Sequence, residues 1–98
     1  MSAPFKRFEA QHLTLVASTN TVLAFDLPAL AFRVRNWSTA DRVLVKMTTI
    51  TSDTDVDAAR VGKAPSADIP NNSVFPVRSA SINLRSPGAA EVTVEAYS

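Results

Sequence analysis

Along its length the chain repeats one pattern, short runs in which apolar and polar side chains alternate, separated by turn formers. A period of two puts successive side chains on opposite faces of an extended strand, whereas a helix needs apolar positions at i, i+3 and i+4. The first run, Phe8 to Val16, sets Phe8, Ala10, His12, Thr14 and Val16 against Glu9, Gln11, Leu13 and Leu15. The polar turn Ala17-Ser18-Thr19-Asn20 leads to a second run, Thr21 to Phe25, and the two read as a hairpin. Asp26-Leu27-Pro28 closes it, because proline has no N–H for a strand ladder. In Ala31 to Trp37, Phe32 and Val34 oppose Arg33 and Arg35, which predicts a strand with one face in and one face out. After Ser38-Thr39-Ala40-Asp41, Val43, Val45 and Met47 alternate with Arg42, Leu44 and Lys46 in a run that reaches Thr51, predicting a second hairpin.

From Ser52 to Asn72 the chain turns polar, a stretch longer than connections in compact domains, which predicts a functional excursion or an irregular strand. A helical turn over Val56 to Val61 would be stopped by Gly62 and Pro65. Val74 to Arg78 is a strand demoted to an edge or a bulge by Pro76. Ala80 to Leu84 and Glu91 to Tyr97 then flank the turn-bearing Arg85 to Ala90. Seven or eight short antiparallel strands in 98 residues predict an all-β fold, a sandwich, jelly roll or small barrel, as a single domain over residues 1–98.

Composition narrows the chemistry. Ten Lys and Arg against nine Asp and Glu are interleaved along the chain, without the basic stripe of a nucleic-acid binder. The absence of cysteine excludes disulfides, thiolate zinc sites and thiol catalysis, and one histidine excludes a His-His metal pair. Gly62 and Gly88 are too few for a phosphate-binding loop, so no cofactor is expected. No stretch approaches the roughly 18 apolar residues of a membrane span, and Met1 to Arg7 lacks the apolar core of a secretory signal. Synthesis in a cytoplasm, with no membrane and no nucleic-acid partner, is the expectation.

Asp53-Thr54-Asp55-Val56-Asp57 opens like a calcium loop, but Ala58 stands where the sharp turn needs glycine and Ala64 where a bidentate glutamate should sit. The segment reads as a solvated acidic loop or a strand with its aspartates outward, and not as a metal site. His12 has no nucleophile motif beside it and reads as a surface or interface side chain. Glu91 and Glu95 share a face but lie roughly 13 Å apart at ~6.8 Å per strand repeat, too far for a glycosidase pair, and read as a solvent-facing stripe. Trp37 reads as a core plug at the sandwich end, the alternative being a sugar-stacking residue with Tyr97 as its only aromatic companion. Pro4-Phe5-Lys6-Arg7-Phe8 predicts an arm over residues 1–8 that folds onto its own sandwich or docks on a neighbour. No enzyme is expected.

The order of these pieces resembles a known group. Phe32-Arg33-Val34-Arg35-Asn36, the turn ending in Ala40-Asp41, and Val43-Leu44-Val45-Lys46 are similar to a block in small virion structural proteins of tailed bacteriophages. Ile69-Pro70-Asn71-Asn72-Ser73-Val74-Phe75 resembles the edge that follows in those proteins, and Ile82 with Ala90 to Val94 their closing hairpin. The chain departs from them at Asn71-Asn72, where glycine is common, and in lacking a glycine-rich tail. The resemblance covers roughly residues 30 to 98. It implies an antiparallel, jelly-roll-like β-sandwich on the capsid exterior of a virion, a cement or decoration protein that binds the major capsid protein and self-associates as a dimer or trimer. A neck or tail component, or a small carbohydrate-binding module, is the alternative. Under the cement reading the contacting parts are the arm, with Phe5, Lys6, Arg7 and Phe8, and the excursion from Ser52 to Asp68, with Asp53, Asp55, Asp57 and Arg60.

Overall fold

The computed structural model describes residues 6–98, which form eight strands: β1 (Arg7–Thr14), β2 (Thr21–Ala29), β3 (Ala31–Asn36), β4 (Val43–Lys46), β5 (Ala59–Val61), β6 (Asn71–Phe75), β7 (Ser79–Arg85) and β8 (Glu91–Tyr97). They build two four-stranded antiparallel sheets, one in the order β1-β8-β3-β6 and the other β2-β7-β4-β5. The pairs are nested, β1 with β8, β2 with β7, β3 with β6 and β4 with β5. The chain is thus one long hairpin with its tip between β4 and β5, wrapped so that β3 also meets β8 and β4 meets β7. That is the strand order of a jelly roll. The smallest dimension, 21 Å, is that of two sheets ~10 Å apart with side chains on both outer faces.

This topology corrects the three hairpins expected from sequence. β1 and β2, β3 and β4, and β7 and β8 are sequence neighbours that lie in opposite sheets. Each connection crosses the sandwich, a span that the two-residue turn of a tight hairpin cannot make. β2 also runs past the expected stop to Ala29, its ladder with β7 interrupted between Ala24 and Ala29, where Pro28 falls. The arm expected over residues 1–8 is, in its described part, sandwich: Lys6 exchanges backbone hydrogen bonds with Ser98, and Arg7 and Phe8 belong to β1. Phe5 lies outside the described residues.

The inward rows form the core. Leu23 and Phe25 of β2, Phe32 and Val34 of β3, Val43 and Val45 of β4, Ile82 and Leu84 of β7 and Val92, Val94 and Ala96 of β8 are buried together. The Phe25 and Phe32 rings meet at 5.4 Å between centroids. Asn36, fully buried, ends the β3 row: its amide donates to the carbonyls of Asp41 and Gly62 and its carbonyl accepts the Ser38 N–H, satisfying backbone groups at the sandwich end. Along the β1/β2 flank, Gln11 donates to the Ala24 carbonyl and Glu9 accepts the Asp26 N–H, covering the backbone that β2 leaves unpaired.

The two outer faces differ, and the polar excursion is the reason. It contains the short β5 and no helical turn, which settles that part of the sequence reading in favour of an irregular strand. The chain from Met47 to Ala58, which includes the excursion's first part, folds back over the outer face of the β2-β7-β4-β5 sheet. Leu44, expected among the outward polar positions of β4, is fully buried there with Ile50 and Ala58 in a second small core. Asn83 donates to the Met47 carbonyl, Asn20 accepts the Ile50 N–H, and Arg85 donates to the Ile50 carbonyl. Among the described residues, the outer face of the β1-β8-β3-β6 sheet carries no such cover.

Candidate functional site: the open sheet face

Register decides which side chains share the open face. Across β1, β8, β3 and β6, one row holds His12, Thr93, Arg35 and Asn72, and the next holds Ala10, Glu95, Arg33 and Val74. Tyr97 and Ala31 pair one step further along. Two charged clusters and a pocket result.

At one end, Trp37 follows β3, and its indole N–H donates to Thr93 Oγ1 over 3.0 Å. Thr93 Oγ1 is 2.6 Å from His12 Nδ1, and His12 Nε2 is 3.1 Å from Glu91 Oε1. An indole only donates, so every group is satisfied when the threonine hydroxyl donates to Nδ1 and Nε2–H donates to the glutamate. The chain Trp37 to Thr93 to His12 to Glu91 then runs in one direction. Trp37 is therefore not the core plug expected; it is a half-buried residue on the outer face.

In the middle, Glu95 is only 4% exposed, which corrects its reading as part of a solvent-facing stripe. Arg35 Nε donates to one carboxylate oxygen over 2.7 Å and Arg7 Nη1 to the other over 2.9 Å. Burial alone would raise the carboxyl's pKa, but the hydrogen bonds from Arg35 and Arg7 outweigh it and hold Glu95 below the ordinary value. Arg35 reaches Glu95 from β3 and Arg7 from β1, so the pair of bonds staples the chain's first strand to the sheet.

At the other end, the Arg33 guanidinium lies over the Tyr97 ring, 5.6 Å from its centroid. With Ala31 and Val74 these residues line a pocket of about 150 Å³.

Comparison with protein-family models, with curated proteins and with solved structures finds no match to the chain. The reading of the site rests on its geometry and on the sequence resemblance.

Of the eight residues expected at an interface, the structure scatters the seven that it describes. Arg7 is tied to Glu95, Phe8 packs partly against the core, and Lys6 is exposed beside the chain's end. Asp53 and Asp55 do not point outward. Asp53 accepts from Ser18 and pairs with Arg85 at 2.8 Å, and Asp55 pairs with Lys46 at 3.0 Å. The Ser18 hydroxyl first, and then Arg85, hold the Asp53 carboxyl below its ordinary value, as Lys46 does for Asp55. Arg42 adds a bond to the Asp53 carbonyl. These aspartates latch the excursion onto its own sheet. Asp57 and Arg60 are exposed, and Arg60 lies beside Leu44 in the β4-β5 ladder. Sequence reasoning missed Arg33, Val74 and Tyr97 as a group. The alternation placed Arg33 and Arg35 on one face of their strand and Glu95 and Tyr97 on one face of theirs, but not that β3 lies beside β8.

Proposed function

We propose that the protein is a non-enzymatic binding module that docks through its open sheet face on a protein shell, as a capsid cement or decoration protein. The observation that carries this reading is the asymmetry of the sandwich: one outer face is sealed by the chain's own excursion, and the other presents Trp37, Tyr97, Val74 and paired charges to solvent. An interface rich in aromatic and arginine side chains is the composition expected of a protein contact. Four strands ~4.8 Å apart and about seven residues long offer a footprint of roughly 450 Å², below the ~800 Å² per partner of a standard stable interface. One copy therefore binds weakly, and strength comes from many copies on a symmetric lattice or from self-association as a dimer or trimer. The sequence resemblance to phage virion proteins points the same way.

The Thr93, His12 and Glu91 chain resembles a hydroxyl, imidazole and carboxylate relay, yet its setting argues against catalysis. Thr93 Oγ1 already accepts the Trp37 N–H. β8 is paired on both sides, so its amides are spent in ladders and do not form an oxyanion hole.

The test is binding of the purified chain to assembled, undecorated phage capsids, read as copies per shell and as the shift in shell melting temperature. The proposal expects saturation at a fixed multiple of the lattice and a raised melting point. About a dozen copies or fewer would reassign the chain to the neck or tail, and no binding would refute the shell role.

One observation favours a second reading. Trp37 and Tyr97 lie on the same face, and Thr93, which Trp37 contacts, is four residues from Tyr97, roughly 14 Å along the strand. Two aromatic platforms with polar groups between them suit a glycan chain. Quenching of Trp37 fluorescence by oligosaccharides would support a carbohydrate-binding module, and an unresponsive spectrum would refute it.

A further inference from the structure

Resting on the shell-binding reading, we infer that the pocket beside Tyr97 is an anchor site for a single carboxylate side chain, Asp or Glu, projected by the partner protein and held by Arg33. Among the described residues Arg33 has no hydrogen-bond or acidic partner, while Arg7 and Arg35 share Glu95 and Arg85 holds Asp53. Residues 1–5 contain no acid that could supply one. Glu95 stands directly opposite Arg33 in the ladder, but both its oxygens are occupied by the other two arginines. Among the described residues Arg33 thus keeps its planar set of N–H donors uncommitted, a fork that matches a carboxylate in two-point contact.

Four further features fit the same occupant. The cation–π contact with Tyr97, 5.6 Å from guanidinium to ring centroid, restrains the Arg33 side chain before anything binds, so less side-chain entropy is lost on contact. The pocket's volume of about 150 Å³ is half the ~300 Å³ lower bound typical of sites for free small molecules, and it takes a carboxylate with its methylenes. Val74, 56% exposed, and Ala31 give those methylenes an apolar wall. Arg7, Arg33 and Arg35 against Glu95 leave this end of the face with a local charge of +2, complementary to an acidic partner.

The experiment is an NMR titration of the full-length labelled chain with the tripeptide acetyl-Leu-Glu-Leu-amide and with its Gln counterpart. The expected result is a saturable shift of the Arg33 side-chain Nε–H and of the Val74 and Tyr97 amides with the Glu peptide. Affinity should be at least tenfold weaker for the Gln peptide and for Arg33→Gln, with Arg33→Lys in between because it keeps charge without the fork. Unchanged amide spectra away from the pocket verify that the variants are folded. Equal responses to the two peptides, an undiminished response in Arg33→Gln, or tighter binding of glucuronate than of the Glu peptide would overturn the assignment. On undecorated shells, Arg33→Gln should bind at least tenfold more weakly than the unaltered chain and Arg60→Gln equally well. Shell binding indifferent to Arg33→Gln overturns the anchor and leaves the shell reading standing. Peptide binding at Arg33 by a chain that ignores shells supports the carboxylate site and refutes the shell as its source.

Discussion

Replacing Glu95 by Gln isolates the most tightly placed charge on the open face. The variant keeps the shape of the side chain but loses its charge, and the new amide nitrogen must face one of two arginine donors. Both bonds are charge-assisted, a class worth ~1.5–3 kcal/mol when fully shielded. The two arms are not equally shielded, since the side chain of Arg7 is 59% exposed and that of Arg35 29%. The Arg7 arm therefore counts as a surface pair at ~0–1 kcal/mol, and the Arg35 arm somewhat more. Together they predict a loss of about 2 kcal/mol for Glu95→Gln, which for a domain near 100 residues lowers Tm by roughly 8–16 °C. Arg35→Gln should cost more than Arg7→Gln. The pH dependence has a definite sign. The folded-state pKa of Glu95 lies below its ordinary 4.5, so its contribution is complete above that value and is lost as pH falls through the depressed one. Urea unfolding followed by Trp37 fluorescence should show the deficit of Glu95→Gln in full at pH 7 and shrinking below about pH 4.5. A variant within ~0.5 kcal/mol of the unaltered chain at pH 7, or a deficit independent of pH, would refute the reasoning.

Other expected outcomes follow from the core and the latch. Ile82→Ala, at a fully buried site between the sheets, should lose ~2–5 kcal/mol in urea unfolding with an unchanged slope. Asn36→Ala should cost about 1–3 kcal/mol, because the carbonyls of Asp41 and Gly62 and the Ser38 N–H lose their partner inside the protein; a neutral result would mean water replaces it. Carboxyl NMR titration should place the Asp53 and Asp55 midpoints below the ordinary 3.8, and Ser18→Ala should raise that of Asp53 more than Arg42→Gln does. Asp53→Asn should speed hydrogen exchange at the Ile50 amide while the β3 and β8 amides stay protected, since the latch holds the excursion and not the main core.

Much of the fold was written in local alternation. Phe32 and Val34 inward with Arg33 and Arg35 outward and an irregular strand within the polar stretch follow from period-two patterning and loop length, and the edge strand expected over Val74 to Arg78 is found at a sheet edge but shifted, as Asn71–Phe75, ending before Pro76. Partner choice was not written there. A strand's pattern states which face is buried but not which strand lies beside it, and a jelly roll pairs β1 with β8 across nearly the whole chain. The errors at the site have the same origin. Glu95 looked solvent-facing because Arg7 and Arg35 reach it from strands far away in sequence, and Leu44 looked out of place until the excursion supplied Ile50 and Ala58 above it. Trp37 looked like a core plug from its size and its place at the strand end, although it continues the outward row of Arg33 and Arg35 one residue beyond β3. The aspartate run looked like surface because its cations, Arg85 and Lys46, sit on other strands.

The central claim is that the uncovered β1-β8-β3-β6 face, and not the excursion, meets the partner. An electron cryomicroscopy reconstruction of undecorated phage shells saturated with the purified chain tests it most directly. The account predicts density for the sandwich with Arg33, Val74 and Tyr97 turned toward the shell and the Asp53 to Asp57 segment turned toward solvent. A sandwich seated on its excursion, or shells that stay bare at saturating concentration, would contradict it.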